Sequence, residues 1–379
     1  MIIQSKNVWI SSIFTEAQIE MENGKVVAIY PYGTKEVDQD FGENRIIPGM
    51  IDVHCHGGLG FDTNDAHREG LVKWAKGLLE EGITGFCPTT VTQSVEVLTN
   101  AVANVAKVVE EGYEGAEILG IHFEGPYLNL KNKGAQPPQF IVTPSVEQFK
   151  EYQKAANGLI KIVTMATEMD PDFALTRYCA QNGVNVSIGH SGATFKDAVL
   201  AVANGANGMT HVYNGMNGLH HREPSLVGAA MRLKDVYGEI ICDGNHVTPA
   251  ALNAYFLSKG PDWPIMMSDS VMAKGTPAGS RFLFGGQEIE VYDDGSAHII
   301  ETGGLAGSTL RINEGLKILI EDALVPFNYA LNACTINPAR CLHLEHRKGS
   351  IQTGKDADLV VLNNDYSVHQ TYARGKQCL

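Results

Sequence analysis

The middle of this chain alternates short apolar segments with helical stretches, and this alternation limits the possible folds more than any other feature. Each apolar segment ends in polar or glycine-rich residues, as buried strands do when they reach a polar site. The eight segments cover residues 50–56, 82–91, 117–126, 160–168, 184–190, 208–214, 239–245 and 264–270. Eight strands that alternate with helices predict an α/β protein with a (β/α)8 barrel of the TIM type. In such barrels the active site lies at the C-terminal ends of the strands.

The stretches between these segments carry apolar residues at helical spacing. Leu98, Val102 and Val105, for example, recur every three to four residues, which is typical of the buried face of a helix. Thr143 and Thr248 are each followed by proline. This pair of residues predicts a helix start, with threonine as the N-cap and proline at the first helical position.

The two ends of the chain have the composition of a small β-domain. Residues 1–47 contain short β-like runs, and Asn23-Gly24 is a strong hairpin signal. Residues 349–362 resemble them in composition, so we predict a small β-sandwich domain built from both chain ends. The predicted domains are residues 1–47 and 346–379 for the small domain and residues 48–345 for the barrel, with a β-hairpin insertion near 275–300.

Charge and composition exclude several classes of function. The formal net charge is −14 and no run of Lys or Arg occurs, which argues against nucleic acid as a partner because phosphate tracking needs a basic surface. No basic segment followed by a long apolar one opens the chain, and no stretch is long enough to span a membrane, so we expect a cytoplasmic protein without a membrane partner. The seven cysteines are scattered and form no C-x-x-C motif, which argues against a disulfide framework.

Histidines and carboxylates follow six of the predicted strands. They are His54 and His56 after the first strand, Glu124 after the third, His190 after the fifth, His211 after the sixth, His246 after the seventh and Asp269 after the eighth. Strand side chains alternate between faces, so His54 and His56 project to the same side. An isolated His-x-His pair is a metal site about as often as it is two hydrogen-bonded or exposed histidines. The convergence of so many strand ends on one rim favours a metal site instead.

Four imidazoles and two carboxylates would supply the ligands. The predicted ligands are His54, His56, Glu124, His190, His211 and Asp269. Ligands of these types favour one or two divalent ions such as zinc, iron(II) or manganese. Because such an ion lowers the pKa of its water to about 7, the pattern indicates hydrolysis. A catalytically silent barrel that serves as a scaffold is an alternative from another class, but it predicts loss of ligands that are all present here.

Seven motifs occur in a fixed order along the chain. They are P-G-x-I-D-x-H-x-H at 48–56, H-x-E-G-P at 122–126, G-H-S at 189–191, T-H-x-x-N-x-M at 210–216, H-H-R-E-P at 220–224, D-G-x-H at 243–246 and S-D-S at 268–270. In this order they closely resemble the N-acetylglucosamine-6-phosphate deacetylases of the amidohydrolase superfamily, over nearly the whole chain. The resemblance implies a hydrolase of amino-sugar catabolism and recycling, which releases acetate from N-acetylglucosamine 6-phosphate and leaves glucosamine 6-phosphate.

The resemblance also implies how the metal ligands divide. Glu124, His190 and His211 would hold the ion that all members of the family keep. His54 and His56 would supply a second position, which leaves both one ion and two ions open. The residues themselves suggest two further roles. His122 lies two residues before Glu124, so it would point to the same face and support this group of ligands, and Asp243 would be a packing or turn residue.

Catalytic and substrate-binding roles follow from the same resemblance. Asp269 would be the general base, taking a proton from a metal-bound water that attacks the amide carbonyl and passing it to the leaving amine. The substrate-binding residues would be His246, Arg222, Asn214, Ala135, Gln136 and His221. Arg222 would bind the phosphate across the interface of a homodimer, and a planar guanidinium matches phosphate better than the ammonium of Lys234 does. Alternatively, His220 and His221 are surface residues of the Arg222 loop.

Two positions depart from the family pattern. The family has histidine where this chain has Gln136, and proline where it has Thr167. Because Gln136 belongs to the expected sugar pocket, the N-acetylgalactosamine 6-phosphate epimer is an alternative substrate. Another amidohydrolase acting on a small amide is a further alternative. Many such relatives use a carbamylated lysine on the fourth strand, where this chain has only Lys161 at the start of the segment.

Overall fold

The structure, a computed structural model, describes residues 1–378 and contains a barrel of eight parallel strands. The strands, called barrel strands 1 to 8, are Met50–Cys55, Ile83–Thr90, Ile121–Glu124, Ile160–Met165, Asn185–Ile188, Gly208–Met209, Tyr237–Ile241 and Pro264–Met267. Each strand pairs with the next one along the chain, and a bridge between Cys55 and Ser270 closes the circle. The predicted (β/α)8 fold is confirmed, and the carboxyl ends of all eight strands meet at one rim.

Ten α-helices occur within residues 1–378. They are Arg68–Gly77, Val95–Glu111, Val146–Ala155, Ala174–Gln181, Phe195–Ala203, Ser225–Arg232, Pro249–Lys259, Ile312–Lys317, Phe327–Ala333 and Ile336–Cys341. Val95–Glu111 has the predicted buried face, because Leu98, Val102 and Val105 pack into the core. None of the helices in the described chain combines the length and apolar composition that crossing a membrane requires.

One of the two predicted helix starts is displaced. Thr248 is the N-cap of Pro249–Lys259, and its proline lies in the first turn, as predicted. Thr143 does not cap a helix, so that prediction was wrong. Val146–Ala155 begins with Ser145 as its N-cap, because Ser145 Oγ accepts a backbone N–H from the first turn.

Barrel strand 6 is shorter than the sequence predicts. Residues 208–214 form a strand only at Gly208–Met209, and the chain then turns. Two hydrogen bonds hold the turn: the His211 carbonyl accepts the Asn214 N–H, and His211 Nδ1 donates to the Asn214 carbonyl. The longer strand was a wrong prediction because this local pairing is not visible in the apolar pattern. The turn leaves the His211 ring at the rim.

Both chain ends contribute to a single eight-stranded sheet. Its strands are, from one edge, Lys376–Gln377, Val368–Ala373, Leu359–Leu362, Arg45–Pro48, Ile2–Ile10, Ile13–Glu22 and Lys25–Pro31, with Gln39–Asp40 beside Ile2–Ile10. The edge strand Lys25–Pro31 lies against the segment before Leu359–Leu362, because the Val26 N–H bonds to the Lys355 carbonyl. The sheet encloses an apolar core of its own. The domain limits at residues 47 and 346 stay predictions, and residue 379 lies outside the described residues.

Glycine turns form the hairpins. Asn23 and Gly24 have φ of 50° and 80° and join two antiparallel strands, as predicted. The insertion contains three antiparallel strands, one more than the predicted hairpin: Arg281–Phe284, Gln287–Val291 and Ala297–Ile299. The additional turn, at Gly285-Gly286, has φ of 56° and 81°. It places Phe284 at the barrel rim.

A buried ion cluster joins the barrel to the small domain. Lys348, whose side chain is 1% exposed, lies 2.9 Å from Glu117 of the barrel and 2.5 Å from Asp358 and 3.2 Å from Asp356 near the C-terminal strands. Arg347 lies 2.5 Å from Glu117. Burial alone would raise the pKa of Glu117, but Arg347 and Lys348 hold it at about 2. These carboxylates therefore depend on buried cations for compensation.

Lys348→Met should lower the free energy of unfolding by about 3–5 kcal/mol, because buried Asp358 loses its cation while Glu117 and Asp356 lose one of theirs. Urea unfolding followed by tryptophan fluorescence measures the loss. Lys6→Met is the matched control, since the ion pair of Lys6 with Glu43 is exposed and such pairs contribute under about 1 kcal/mol. Equal losses in the two variants would contradict a stabilising role for the buried cluster.

Candidate metal centre

The histidine pair lies at the end of barrel strand 1. His54 is on the strand, His56 follows it, and both rings are buried, edge to face, with centroids 5.2 Å apart. Asp269, after barrel strand 8, has its Oδ1 3.5 Å from His54 Nε2 and 3.1 Å from His56 Nε2. The alternation of strand faces thus directs both imidazoles to one side, toward the same carboxylate.

The Glu124 carboxylate, at the end of barrel strand 3, lies at the centre of the cluster. Its Oε1 is 3.3 Å from His190 Nε2, 3.5 Å from His211 Nε2 and 3.6 Å from His54 Nε2. Its Oε2 is 3.4 Å from His56 Nε2. The structure therefore brings together all the residues that the sequence analysis proposes as metal ligands.

Each of the four imidazoles is held through its other nitrogen. The Nδ1 pairs are His54 with Glu239 Oε2 (3.1 Å), His56 with Thr89 O (3.2 Å), His190 with Asn132 O (2.9 Å) and His211 with Asn214 O (3.0 Å). Because every partner is a carbonyl or carboxylate oxygen, Nδ1 donates and Nε2 is left to face Glu124. Histidines that bind metals through Nε2 are oriented in this way.

Buried polar atoms at the centre lack partners. His54 Nε2 and Glu124 Oε1 are fully buried and have no hydrogen-bond partner within residues 1–378, which is costly. His190 Nε2 and His211 Nε2 lie 3.2 Å apart, and a shared proton or a shared cation satisfies both. Three groups of three could each hold a metal, and two of them consist of the proposed ligands: Glu124, His190 and His211, and His54, His56 and Asp269. The third is His54, His122 and Glu239. The donor set fits a divalent cation.

Two of the proposed ligands hold an unfavourable backbone conformation. φ is 46° at His190 and 51° at Asp269, a region that non-glycine residues rarely adopt. The loop after His190 is fixed by Glu168, which accepts the Ser191 hydroxyl at 2.6 Å and the Gly192 N–H at 2.7 Å. Strain held in place by surrounding contacts is typical of active sites.

The cluster attracts positive charge. Burial lowers the pKa of His54 to about 4. Burial alone would also lower the pKa of His56 and of His211. The neighbouring carboxylates have a larger effect and raise both pKa values, that of His211 to about 9. At Asp269 the imidazoles outweigh burial and lower the pKa to about 2, and the pKa of Glu124 falls well below its usual value. Both carboxylates are thus ionised at neutral pH, as cation ligands must be.

The cluster forms the floor of a cavity of about 200 Å³. Four proposed substrate-binding residues line it: Ala135, Gln136, Asn214 and His246. Phe284, Leu305 and Gly307, from the insertion and the loop after it, complete the wall. Arg222 and His221 do not line the cavity; they lie on an exposed loop, 2.9 Å from each other. Within the described chain, the lining contains no lysine or arginine.

Some contacts of this site are not visible in the sequence. Glu239 lies on barrel strand 7 and accepts the His54 ring N–H; a carboxylate inside a buried strand is the signal that could reveal it. Asp243, interpreted above as a packing or turn residue, also lies 2.6 Å from His246 Nδ1. His122 has both ring nitrogens hydrogen-bonded within the barrel, which agrees with a supporting role.

Gln136 holds the Glu124 carboxylate. Its side-chain oxygen accepts the Thr92 N–H at 2.8 Å, and its amide nitrogen donates to Glu124 Oε2 at 2.6 Å. The orientation of the amide is determined, since a backbone N–H can only donate and a carboxylate can only accept. Gln136 therefore leaves Oε1 of Glu124 facing His190 and His211.

Comparison with known proteins agrees with this geometry. The profile of the amidohydrolase family matches residues 45–378. The chain belongs to the amidohydrolase family. The N-acetylglucosamine-6-phosphate deacetylase of Bacillus subtilis (strain 168) is 39% identical over 374 residues, covering 96% of this chain and 93% of the relative. The N-acetylgalactosamine-6-phosphate deacetylase of Escherichia coli O157:H7 is 33% identical over 359 residues, covering 95% and 94%.

A solved structure matches this amidohydrolase over its whole length. It is that of an N-acetyl-D-glucosamine-6-phosphate deacetylase mutant from Mycobacterium smegmatis in complex with N-acetyl-D-glucosamine-6-phosphate. The TM-score is 0.95 at 28% identity, with 100% of this chain and 99% of that chain covered. The resemblance inferred from the seven motifs is thereby confirmed. Amidohydrolases depend on metal, in accord with the ligand groups at the rim.

Gln136→Ala should weaken zinc binding by this amidohydrolase about 10- to 100-fold, because a hydrogen bond that orients a ligand is lost. Competition with a chromophoric chelator measures the affinity. Gln287→Ala is the matched control, since the Gln287 amide donates to the Ala135 carbonyl on the same wall. Wild-type zinc affinity in Gln136→Ala would rule out the orienting role.

Proposed function

We propose that this amidohydrolase hydrolyses the acetamide of N-acetylglucosamine 6-phosphate and releases glucosamine 6-phosphate and acetate. The cluster of four oriented imidazoles and two ionised carboxylates at the barrel rim carries the proposal. The relatives from Bacillus subtilis and Mycobacterium smegmatis supply the substrate by name. The N-acetylgalactosamine epimer is a second candidate, because the relative from Escherichia coli O157:H7 is named for it.

Acetate release from both epimers, assayed side by side with metal-loaded protein, tests the proposal. We expect faster release from N-acetylglucosamine 6-phosphate. Faster release from the galactosamine epimer would select the second candidate, and release from neither would overturn both. Metal analysis of the same sample gives the identity and number of bound ions.

The proposed ligands divide into the two groups already described. Glu124, His190 and His211 would hold one divalent ion, and a second would be held by His54, His56 and Asp269. Imidazole and carboxylate donors favour zinc, iron(II) or manganese. When bound, such an ion polarises the amide carbonyl and makes water a stronger nucleophile at neutral pH.

Asp269 is the proposed proton carrier. Its carboxylate borders the cavity and is ionised at neutral pH, since its pKa is about 2. It takes a proton from water as the water oxygen attacks the acetyl carbon. It then gives that proton to the amine nitrogen as the C–N bond breaks, so that acetic acid and the free amine form and Asp269 is ionised again. The acid passes its remaining proton to the amine, and acetate and the ammonium form leave.

Asp269→Asn should lower kcat about 100- to 10,000-fold, because an amide does not take up the proton. The ion at Glu124, His190 and His211 should remain, and elemental analysis checks this. Turnover close to that of the wild type would show that another group carries the proton.

Arg222 is proposed to bind the phosphate of a substrate held by a second copy of the chain. The cavity lining of one copy has no lysine or arginine within residues 1–378. The Arg222 guanidinium lies outside it on an exposed loop, beside His221. A homodimer in which each chain completes the other's anion site accounts for both observations. His221 would then orient the guanidinium at the interface.

Arg222→Ala should raise KM for the phosphorylated sugar about 10- to 100-fold and leave the rate on unphosphorylated N-acetylglucosamine unchanged, because only phosphate binding is lost. Steady-state kinetics on both sugars measure the effect. Lys234→Ala is the matched control, since Lys234 donates to the Ser258 carbonyl and does not line the cavity. Equal effects of Arg222→Ala on both sugars would contradict the assignment.

Mixing the Arg222→Ala and Asp269→Asn proteins tests the dimer. In a mixed dimer, the chain that keeps Asp269 receives Arg222 from its partner and regains one complete site. Random exchange should restore about one quarter of wild-type activity at low substrate concentration, because half of the dimers are mixed and each has one complete site. No recovery after confirmed exchange would place Arg222 in its own chain's site or in none.

A further inference from the structure

The insertion places one aromatic ring beside the metal cluster. Phe284 ends the strand Arg281–Phe284 and is 4% exposed. Its ring centroid lies 5.5 Å from that of His56, and the two ring planes meet at 64°. Phe284 also lines the cavity. Because His56 is a proposed metal ligand, the Phe284 ring borders the place where a bound amide would react.

The cavity wall has a polar part and an apolar part. Besides the cluster itself, Asn214 and His246 present hydrogen-bonding groups, which suit the hydroxyls of a sugar. Ile241, Phe284 and Leu305 are the larger apolar side chains of the lining within residues 1–378. An acyl chain gains free energy when it leaves water for apolar surroundings of this kind. Since that chain is joined to the reacting carbonyl carbon, it lies close to the cluster, where the Phe284 ring packs.

Two sets of contacts hold the Phe284 ring in position. The ring belongs to a buried apolar cluster that also contains Ile289 of the neighbouring strand. The turn that follows it lies directly against the barrel, because a Cβ on Gly285 would be 2.8 Å from the Ala135 carbonyl oxygen. Gln287, after the turn, donates its amide N–H to the same carbonyl at 2.8 Å. A longer acyl chain could displace the ring only by disturbing this packing, which is costly.

We propose that Phe284 determines the length of the acyl group that this amidohydrolase removes, and that it excludes groups longer than acetyl. The inference rests on the proposed amide hydrolysis and narrows its substrate class. A propionyl or butyryl group extends the chain by one or two methylenes toward the ring. In a closed apolar pocket, a difference of one methylene changes kcat/KM about 10- to 200-fold.

A series of acyl lengths on the wild-type protein tests this restriction. The substrates are the N-acetyl, N-propionyl and N-butyryl derivatives of glucosamine 6-phosphate, or of its galactosamine epimer if the protein prefers it. Release of the free amine is measured for each. We expect kcat/KM to fall about 10-fold or more with each added methylene. Equal values for the acetyl and butyryl substrates would overturn the inference.

Phe284→Ala is the decisive variant, because it removes the ring and leaves every proposed ligand in place. The ratio of kcat/KM for the butyryl substrate to that for the acetyl substrate should rise about 10- to 100-fold, since the longer chain fills the vacated space. Ile289→Ala is the matched control. Ile289 is buried in the same apolar cluster but does not line the cavity, so this variant should keep the wild-type ratio.

The ratio separates a role in specificity from a structural one, because loss of fold or of metal lowers the rates on all three substrates together. An unchanged ratio in Phe284→Ala would overturn the inference. An equal rise in Ile289→Ala would also overturn it, since the effect would then come from the packing of the insertion. If circular dichroism shows that Phe284→Ala is unfolded, Phe284→Leu decides in the same way, because leucine is smaller than the ring but keeps the position apolar.

The outcomes also distinguish this inference from the proposed function. Acetate release by a wild-type protein that does not discriminate between acyl lengths would overturn the inference while the proposed function stands. Absence of amine release from every substrate of the series, with metal-loaded protein, would overturn the proposed function and the inference together.

Discussion

The burial of the Glu124 carboxylate is the constraint on which the rest of the site depends. A carboxylate removed from water is costly unless positive charge or hydrogen-bond donors compensate it. Here one oxygen is held by Gln136, while the other faces three imidazole nitrogens and lacks a donor. The residues around the cavity contribute no lysine or arginine within the described chain. A positive charge bound at this point of the rim would therefore stabilise the folded protein.

The rigid barrel makes this arrangement possible, because the groups that orient each ligand come from other parts of the fold. Glu239 of barrel strand 7 holds His54 of barrel strand 1, and Thr89 of barrel strand 2 holds His56. The strained backbone at His190 is stabilised by Glu168, which follows barrel strand 4. A shift of any one strand would therefore disturb ligands on another. The paired strands and the apolar core beneath them offset the strain and desolvation at the rim.

The fold and the ligand set could be predicted because both follow from short-range patterns. Apolar segments of strand length mark the barrel strands, and strand alternation places His54 and His56 on one face. The motif order then indicated the family. Contacts between distant segments could not be predicted in this way. His54 and Glu239 are 185 residues apart, and no sequence pattern near either residue predicts that they are in contact. The early end of barrel strand 6 likewise depends on a hydrogen bond between a side chain and the backbone.

The pairing of Arg45–Pro48 with Leu359–Leu362 has a consequence for synthesis on the ribosome. The strands before the barrel emerge earlier than the barrel, and the strands that complete their sheet emerge after it. Until Leu359–Leu362 has been made, Arg45–Pro48 presents an unpaired edge, of the kind that promotes aggregation and chaperone binding. In a nascent chain that stalls within the barrel, this edge stays unpaired. The small domain can therefore form its sheet only after Leu359–Leu362 has been translated.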